Sequence, residues 1–341
     1  MEYGPCGGVA FDGRCEVAEH ACVFLGAPAV EWHGVVPADP APPAQRADPL
    51  PEPRPSAGAA AMRELIAARP VVVADFPARA LDADSLAACA RVLAGHVDAA
   101  LAGDAGTARV QFPPAYRARL IQEQGLAAWM GVNARDRNRV ALEAELAALA
   151  HTGAAGVHCV TGDHPRVGSR PDAMAVFDLD STELAALARA AGHLVSVAEA
   201  PLSPPVEQRA ARLREKQRAG AELCFVNHAG GVEPVAAFLR AARAAGADLG
   251  FIPCVPVVVD AGSAALIRGF TSLALPPGYL DGVLSAADPR RAGIAAAAEL
   301  ALRLLELTGV VGVDLSGGAG PGAELAFAEA LAAIGDRIGA S

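Results

Sequence analysis

The chain has 341 residues, 53% of them hydrophobic and 19% charged, with a formal net charge of −10. That apolar content excludes disorder and suffices for a large core, arranged as one big barrel or as two ordinary domains. The acidic balance and an aromatic content of 4% argue against nucleic acid as a partner, because polyanions need basic surfaces and single strands need stacking platforms.

No apolar run approaches the roughly 20 residues a membrane helix needs. The longest, 249–259 (LGFIPCVPVVV), is short and carries two prolines, which suits a buried strand better. The N-terminus lacks the basic-then-apolar layout of a secretory signal. Seven cysteines, an odd number in a long chain, do not read as a disulfide framework, and the expected compartment is the cytoplasm.

In chain order, residues 1–36 read as a small Cys-rich module holding Cys6, Cys15, Cys22 and an Asp12-Gly13 turn. A Cys-Gly-Gly step followed by an Asp-Gly turn makes a tight knuckle of the sort that wraps zinc with thiolates. Three cysteines are one ligand short of a closed site. His20 or a further cysteine could complete it, and three unligated thiols in a packed loop remain the alternative. Residues 37–60 are a proline-rich linker, extended rather than packed.

From residue 61 to 341, short apolar runs alternate with Ala/Leu/Glu/Arg segments of helical period, the signature of a parallel sheet with crossover helices. The expected strands are 70–75 (PVVVAD), 97–103 (VDAALAG), 127–133 (AAWMGVN), 156–162 (GVHCVTG), 194–200 (LVSVAEA), 222–227 (ELCFVN), 249–259 and 310–317 (VVGVDLSG). Helical segments such as 138–153, 181–192 and 232–246 separate them, with glycines closing several and caps expected at Ser181 and Asp82. Eight strands, and no second nucleotide-type Gly-rich turn, favour one (β/α)8 barrel (TIM barrel) in the α/β class over two doubly wound domains.

In such a barrel chemistry gathers where strands end. Those ends carry Asp75, Asp104, Asn133, the run Arg135-Asp136-Arg137-Asn138, Asp163-His164, Glu199, Asn227-His228, Asp260 and Ser316. For Asp260 and Ser316 a helix cap is an equally available reading. His158 and His193 are expected to face helices or to cap, while Cys159, Cys224 and Cys254 are expected to pack in strands. The densest stretch is 156–184. Its strand runs into Thr161-Gly162-Asp163-His164-Pro165 and then into a long irregular segment before a helix near Ser181. Gly162 lets a ligand approach the backbone, and Asp163 presents a carboxylate suited to an N–C–N edge.

This stretch, with its 162–164 (GDH) and 177–181 (FDLDS) segments, resembles the methylenetetrahydrofolate reductase family, together with 134–149 before it and 212–227 after it. Residues 4–17 (GPCGGVAFDGRCEV) and 21–25 (ACVFL) resemble the small Cys-containing domain associated with the bacterial branch of that family. The resemblance implies a flavin-dependent barrel that reduces the methylene bridge of a reduced folate to a methyl group, with FAD as cofactor. NADH, another reduced nicotinamide or a partner protein would supply the electrons, and a homo-oligomer is compatible with it.

It also implies that Asp163 lies by pterin and flavin, that Asn227 stands where the family's folate-contacting glutamine stands, and that Lys216 contacts flavin phosphate. Arg135, Asp136, Arg137, Thr161, Gly162 and His164 fall in the cofactor-binding stretch. Asp75 lies within one residue of the place of the family's glutamate, the proton donor in ring opening, and is one methylene shorter. Thr161 stands where an arginine often precedes Gly-Asp. A flavin-independent tetrahydrofolate-dependent methyltransferase or demethylase component, or a non-catalytic partner subunit, are the alternatives.

Overall fold

The computed structural model describes residues 1–6, 9–34, 53–104, 108–270 and 273–339. Most of the segment read as linker lies outside them. Helix α1 (Ala57–Ala68) begins within that segment's last residues: Ser56 caps it through the Ala59 N–H, and its alanine-rich start favours helix over an extended linker.

Eight parallel strands follow, β1 (Val71–Asp75), β2 (Ala99–Ala102), β3 (Ala127–Asn133), β4 (Gly156–Val160), β5 (Val195–Glu199), β6 (Leu223–Val226), β7 (Gly250–Pro256) and β8 (Gly312–Ser316). They pair in sequence order and β8 returns to β1, closing the barrel. The connecting helices are α2 (Ala83–Leu93), α3 (Pro114–Gln122), α4 (Arg139–Thr152), α5 (Ser181–Ala190), α6 (Arg209–Ala219) and α7 (Val232–Ala244). Three more, α8 (Ala261–Arg268), α9 (Tyr279–Leu284) and α10 (Pro289–Leu305), join β7 to β8, and α11 (Glu324–Gly339) follows the last strand.

Strand side chains alternate between barrel interior and helix layer, and this parity decides what each polar residue can do. Val71, Val73, Ala99, Trp129, Leu223, Phe225 and Ile252 fill the lower interior, closed from below by Ala59 and Met62 of α1. Their neighbours in the strands, such as Val72, Ala74, Val195, Val197, Val313 and Leu315, pack outward against the helices. Asp75 and Asp314 therefore face inward. Glu199, in phase with Val195 and Val197, faces outward.

The largest interior side chain, Trp129, is fully buried and donates from Nε1 to Ser196 Oγ at 3.0 Å. Gly156 makes room for it, since a Cβ there would sit 2.5 Å from the indole. His158 also points inward, with Nδ1 3.0 Å from the same hydroxyl and its ring edge-on to Phe225. Strand parity, two residues on from Gly156, turns it away from the helices it was expected to face.

Asp82 caps α2 through the Ser85 N–H as expected. The cap of α5 falls one residue earlier than Ser181: Asp180 forms a capping box with Glu183, and the Ser181 N–H is taken by Thr161 Oγ1. Trp129→Ala should cost about 3–5 kcal/mol, since it leaves a large void and strips Ser196 of a donor. Urea unfolding of parent and variant measures this, and a loss under about 1 kcal/mol would contradict the interior described.

Candidate functional site

The mouth of the barrel is built by the ends of β1, β3, β4, β6 and β8 and by the segment after β2. On one side lies a network around Arg135, whose side chain is 1% exposed. Its guanidinium donates to Asp104 at 2.6 Å and, through two nitrogens, to Asp136 at 2.7 and 2.6 Å. Asp104 also accepts from Gln111 Nε2 at 2.6 Å and Asn133 Nδ2 at 3.2 Å. Gly162 rests on this network with a φ of +93°, and a Cβ would stand 3.1 Å from those of Asn133 and Arg135. This backbone conformation, which favours glycine, turns Asp163 to the mouth.

The Asp163 side chain is 57% exposed and lies 3.9 Å from Arg109. Its pKa is raised, chiefly by burial, with Arg109 pulling against that shift. Its oxygens remain open to the mouth as acceptors.

Across the mouth sits a second, drier cluster. Asp75 ends β1 and accepts hydrogen bonds from Ser316 Oγ at 2.9 Å and from the Gly317 N–H at 3.0 Å. Burial outweighs those bonds and pushes its pKa up to about 6. Asp314 lies one interior layer deeper, opposite Val73 in the β1–β8 register, and is 1% exposed. Its Oδ2 accepts from the Cys254 thiol at 3.5 Å, and its Oδ1 has no partner among the described residues. Burial and the nearby Asp75 charge hold Asp314 well above the ordinary carboxylate range. Cys254 faces this cluster from β7 and lies 4.0 Å from Oδ1 of Asn227 at the end of β6. It is not simple strand packing, in contrast to the fully buried Cys159 and Cys224.

The expected residues divide accordingly. Asp75, Asp163, Asn227 and Gly162 share the mouth. Lys216 does not reach it: on α6, behind β5, it donates to Glu199 at 2.6 Å and to the Ala198 carbonyl at 2.7 Å, with Glu199 1% exposed. Thr161 is buried and spent on α5. Arg137 donates to the Asn133 carbonyl at 3.3 Å.

Lys216 and Arg135, two of the cations expected at flavin phosphate, are thus already paired inside the protein, whereas Arg137 meets only a backbone carbonyl. Asp260 caps α8, whereas Ser316 serves the mouth. His228 is buried and lines a cavity of about 10 Å³ with Val235, Cys254, Pro256, Leu300 and Leu304. Burial pushes its pKa down to about 4, so it is neutral. Asp314 and Arg109 went unmarked in the sequence. Counting back two residues along the inward face from Ser316 would have found the first.

The Cys-rich module seats beside this mouth. Glu16 accepts from the His164 N–H at 2.8 Å, next to Asp163. The N–H groups of Glu2 and Tyr3 bind Asp180 at 3.0 and 2.8 Å, that of Trp32 binds Glu215 at 2.7 Å, and Ser203 Oγ donates to the Val9 carbonyl at 3.2 Å. Burial, then Glu16 and the neighbouring Cys15, push the Cys6 thiol up to about 11. Among the described residues no three His, Cys, Asp or Glu side chains are placed to hold a metal ion. No helix among the described residues is long and apolar enough to cross a membrane.

No protein-family model matches the chain, and no curated protein matches it. Among solved structures it is similar to an uncharacterised protein from Clostridium thermocellum that binds two copies of 5-methyl-5,6,7,8-tetrahydrofolic acid. The TM-score is 0.57 with 9% identity, covering 80% of this chain and 97% of that one. It is also similar to 2,3-dimethylmalate lyase of the PEP mutase/isocitrate lyase superfamily, with a TM-score of 0.47, 14% identity and coverage of 76% and 78%. At these identities the likeness is one of fold: the protein is a (β/α)8 barrel, an architecture shared by enzymes and by a folate binder.

The Asp75–Asp314 pair has a consequence for stability. With a native pKa of about 6 against an ordinary 3.8, folded Asp75 binds a proton that the unfolded chain has released between those values. Stability from this source is highest at low pH and is lost as pH rises through about 6. Asp314→Asn removes the buried carboxyl that folding must keep protonated, so its melting temperature should gain on the parent's as pH rises from about 4 to about 7. Parallel melting curves across that range would contradict the pairing.

Proposed function

We propose that the chain binds a reduced folate at the barrel mouth and acts on its one-carbon unit, as a protein of the methylenetetrahydrofolate reductase type that works without a bound flavin. The observation that carries this reading is a mouth with two carboxyl groups in opposite settings. Asp163 is open to water and accepts; Asp75 is dry, its pKa pushed up to about 6, and is the proton donor. The pterin ring demands this combination: its 2-amino and N3–H edge needs a paired acceptor, and its one-carbon chemistry needs a proton at an amine nitrogen. The Clostridium thermocellum barrel, which binds 5-methyl-5,6,7,8-tetrahydrofolic acid, lends support at the level of fold.

In the reductase form of this chemistry, Asp75 delivers its proton to N10 as the bond from N10 to the bridging methylene breaks. A 5-iminium remains, and hydride from a reduced nicotinamide converts it to the methyl group. Asp75 stands in for a glutamate at the end of the first strand, and Asn227 contacts the folate from β6. A second reading follows from the pairing of Lys216 with Glu199 and of Arg135 with Asp104 and Asp136, which takes two of the expected cations away from flavin phosphate. A tetrahydrofolate-dependent methyl transfer uses the same acid at N5 and needs neither flavin nor hydride.

Calorimetry with 5-methyltetrahydrofolate, and NADH oxidation in the presence of 5,10-methylenetetrahydrofolate, test the proposal. Asp163→Ala should weaken folate binding by about tenfold or more, from the loss of a paired, charge-assisted contact. Asp75→Asn should bind normally and lose about 100-fold or more in turnover, the usual scale of a missing general acid. NADH consumption by the colourless parent protein supports the reductase. Folate binding without it supports methyl transfer. An Asp163→Ala protein that binds folate as tightly as the parent sinks both.

A further inference from the structure

Arg109 has no part in the function proposed above, yet its setting is that of a binding group. Its side chain is 6% exposed, and its charge is poorly met. The nearest carboxylates, Asp104 at 3.8 Å and Asp163 at 3.9 Å, lie beyond hydrogen-bond reach, and Nε has no partner among the described residues. Asp104 is already occupied by Gln111, Asn133 and Arg135.

The guanidinium is nonetheless held in place. The backbone of Gly168 lies against it so closely that a Cβ there would collide with Nε, Cγ and Cζ, and the Arg109 N–H donates to Ser169 Oγ at 3.1 Å. A desolvated guanidinium with free donors is costly unless something supplies acceptors. Here its free donors lie beside the exposed carboxylate of Asp163.

Donor next to acceptor is a readable pattern. Along one edge a pterin presents an acceptor, the 4-oxo group, then two donors, N3–H and the 2-amino group. With the two donors on Asp163, the 4-oxo oxygen falls on the neighbouring side, where the Arg109 terminal nitrogen stands 3.9 Å from the carboxylate. We infer that Arg109 is a specificity-determining residue that donates to the 4-oxo oxygen, so that the chain accepts 4-oxo pterins and rejects 2,4-diaminopteridines. The inference rests on the proposed contact between Asp163 and the pterin. A 4-amino group would turn a donor toward the guanidinium, and the diamino ring also lacks the N3–H that faces Asp163; sites built to hydrogen-bond a substrate group discriminate strongly against analogues that lack it.

The test is calorimetric titration of the full chain with 6-methyltetrahydropterin and with its 2,4-diamino counterpart. The parent should prefer the 4-oxo compound by about tenfold or more. Arg109→Met should narrow that preference by about threefold or more, mainly by weakening the 4-oxo compound, and leave the part owed to N3–H at Asp163. Arg109→Gln, which keeps one N–H donor, should give an intermediate ratio, and it decides the matter if the methionine variant does not fold. A general loosening of the mouth lowers both affinities and leaves their ratio intact, so an unchanged ratio in the folded variant overturns the inference. Parent protein that binds neither compound overturns the folate reading itself, whereas a parent that binds both equally leaves that reading standing and removes only the role given to Arg109.

Discussion

Burial of the Arg135 guanidinium is the constraint from which the mouth takes its shape. A cation at 1% exposure must be surrounded by acceptors, and Asp104 from the segment after β2 and Asp136 from its own neighbour provide them. Once Asp104 is committed to Arg135, Gln111 and Asn133, it can no longer close on Arg109. Gly162, lying against Asn133 and Arg135, fixes where the chain leaves β4 and hence where Asp163 emerges. One buried charge thereby sets the position of an exposed carboxylate and leaves a second cation short of partners beside it.

The opposite side of the mouth runs on a different electrostatic regime. Among the described residues, Asp75 and Asp314 have no cation within reach of a salt bridge and only a serine hydroxyl, a backbone N–H and a thiol as donors. Neutralisation by protonation is the cheaper way to keep such groups dry. A single rim thus holds carboxyl groups of the same chemical type in two electrostatic settings, separated by environment alone. The lower interior of Trp129, Phe225 and Ile252 supplies the low-dielectric floor that makes this separation possible.

The barrel was legible in the sequence because parallel strands buried on both faces are short apolar runs, and all eight stand out between alanine-rich helices. Asp163 and Asp75 were legible because each ends such a run. What misled was direction. A residue at a strand end points inward or outward by parity, and a list of strand ends ignores it. Glu199 is out of phase with the inward Ser196, so it and Lys216 form a pair behind the sheet. Asp314 is in phase with Ser316 but sits two residues inside the run, where a charge looks misplaced until the interior is known to be polar at that height. Arg109 lies in an irregular segment after β2, and no local pattern marks it. Only the fold brings it to Asp163.

The Cys-rich module adds a consequence for how the chain assembles. Its anchors lie far along the sequence: Glu2 reaches Asp180 across 178 residues, Glu16 meets His164 across 148, and Trp32 meets Glu215 across 183. On a ribosome, residues 2–32 are made well before any surface they dock on, and that surface does not exist until the middle strands and helices have emerged and packed. Closing such long loops is entropically slow, so the module settles late, after half the barrel is in place. The segment beside Asp163 is therefore among the last parts of the molecule to be pinned, and the mouth matures only when residues made early return to it.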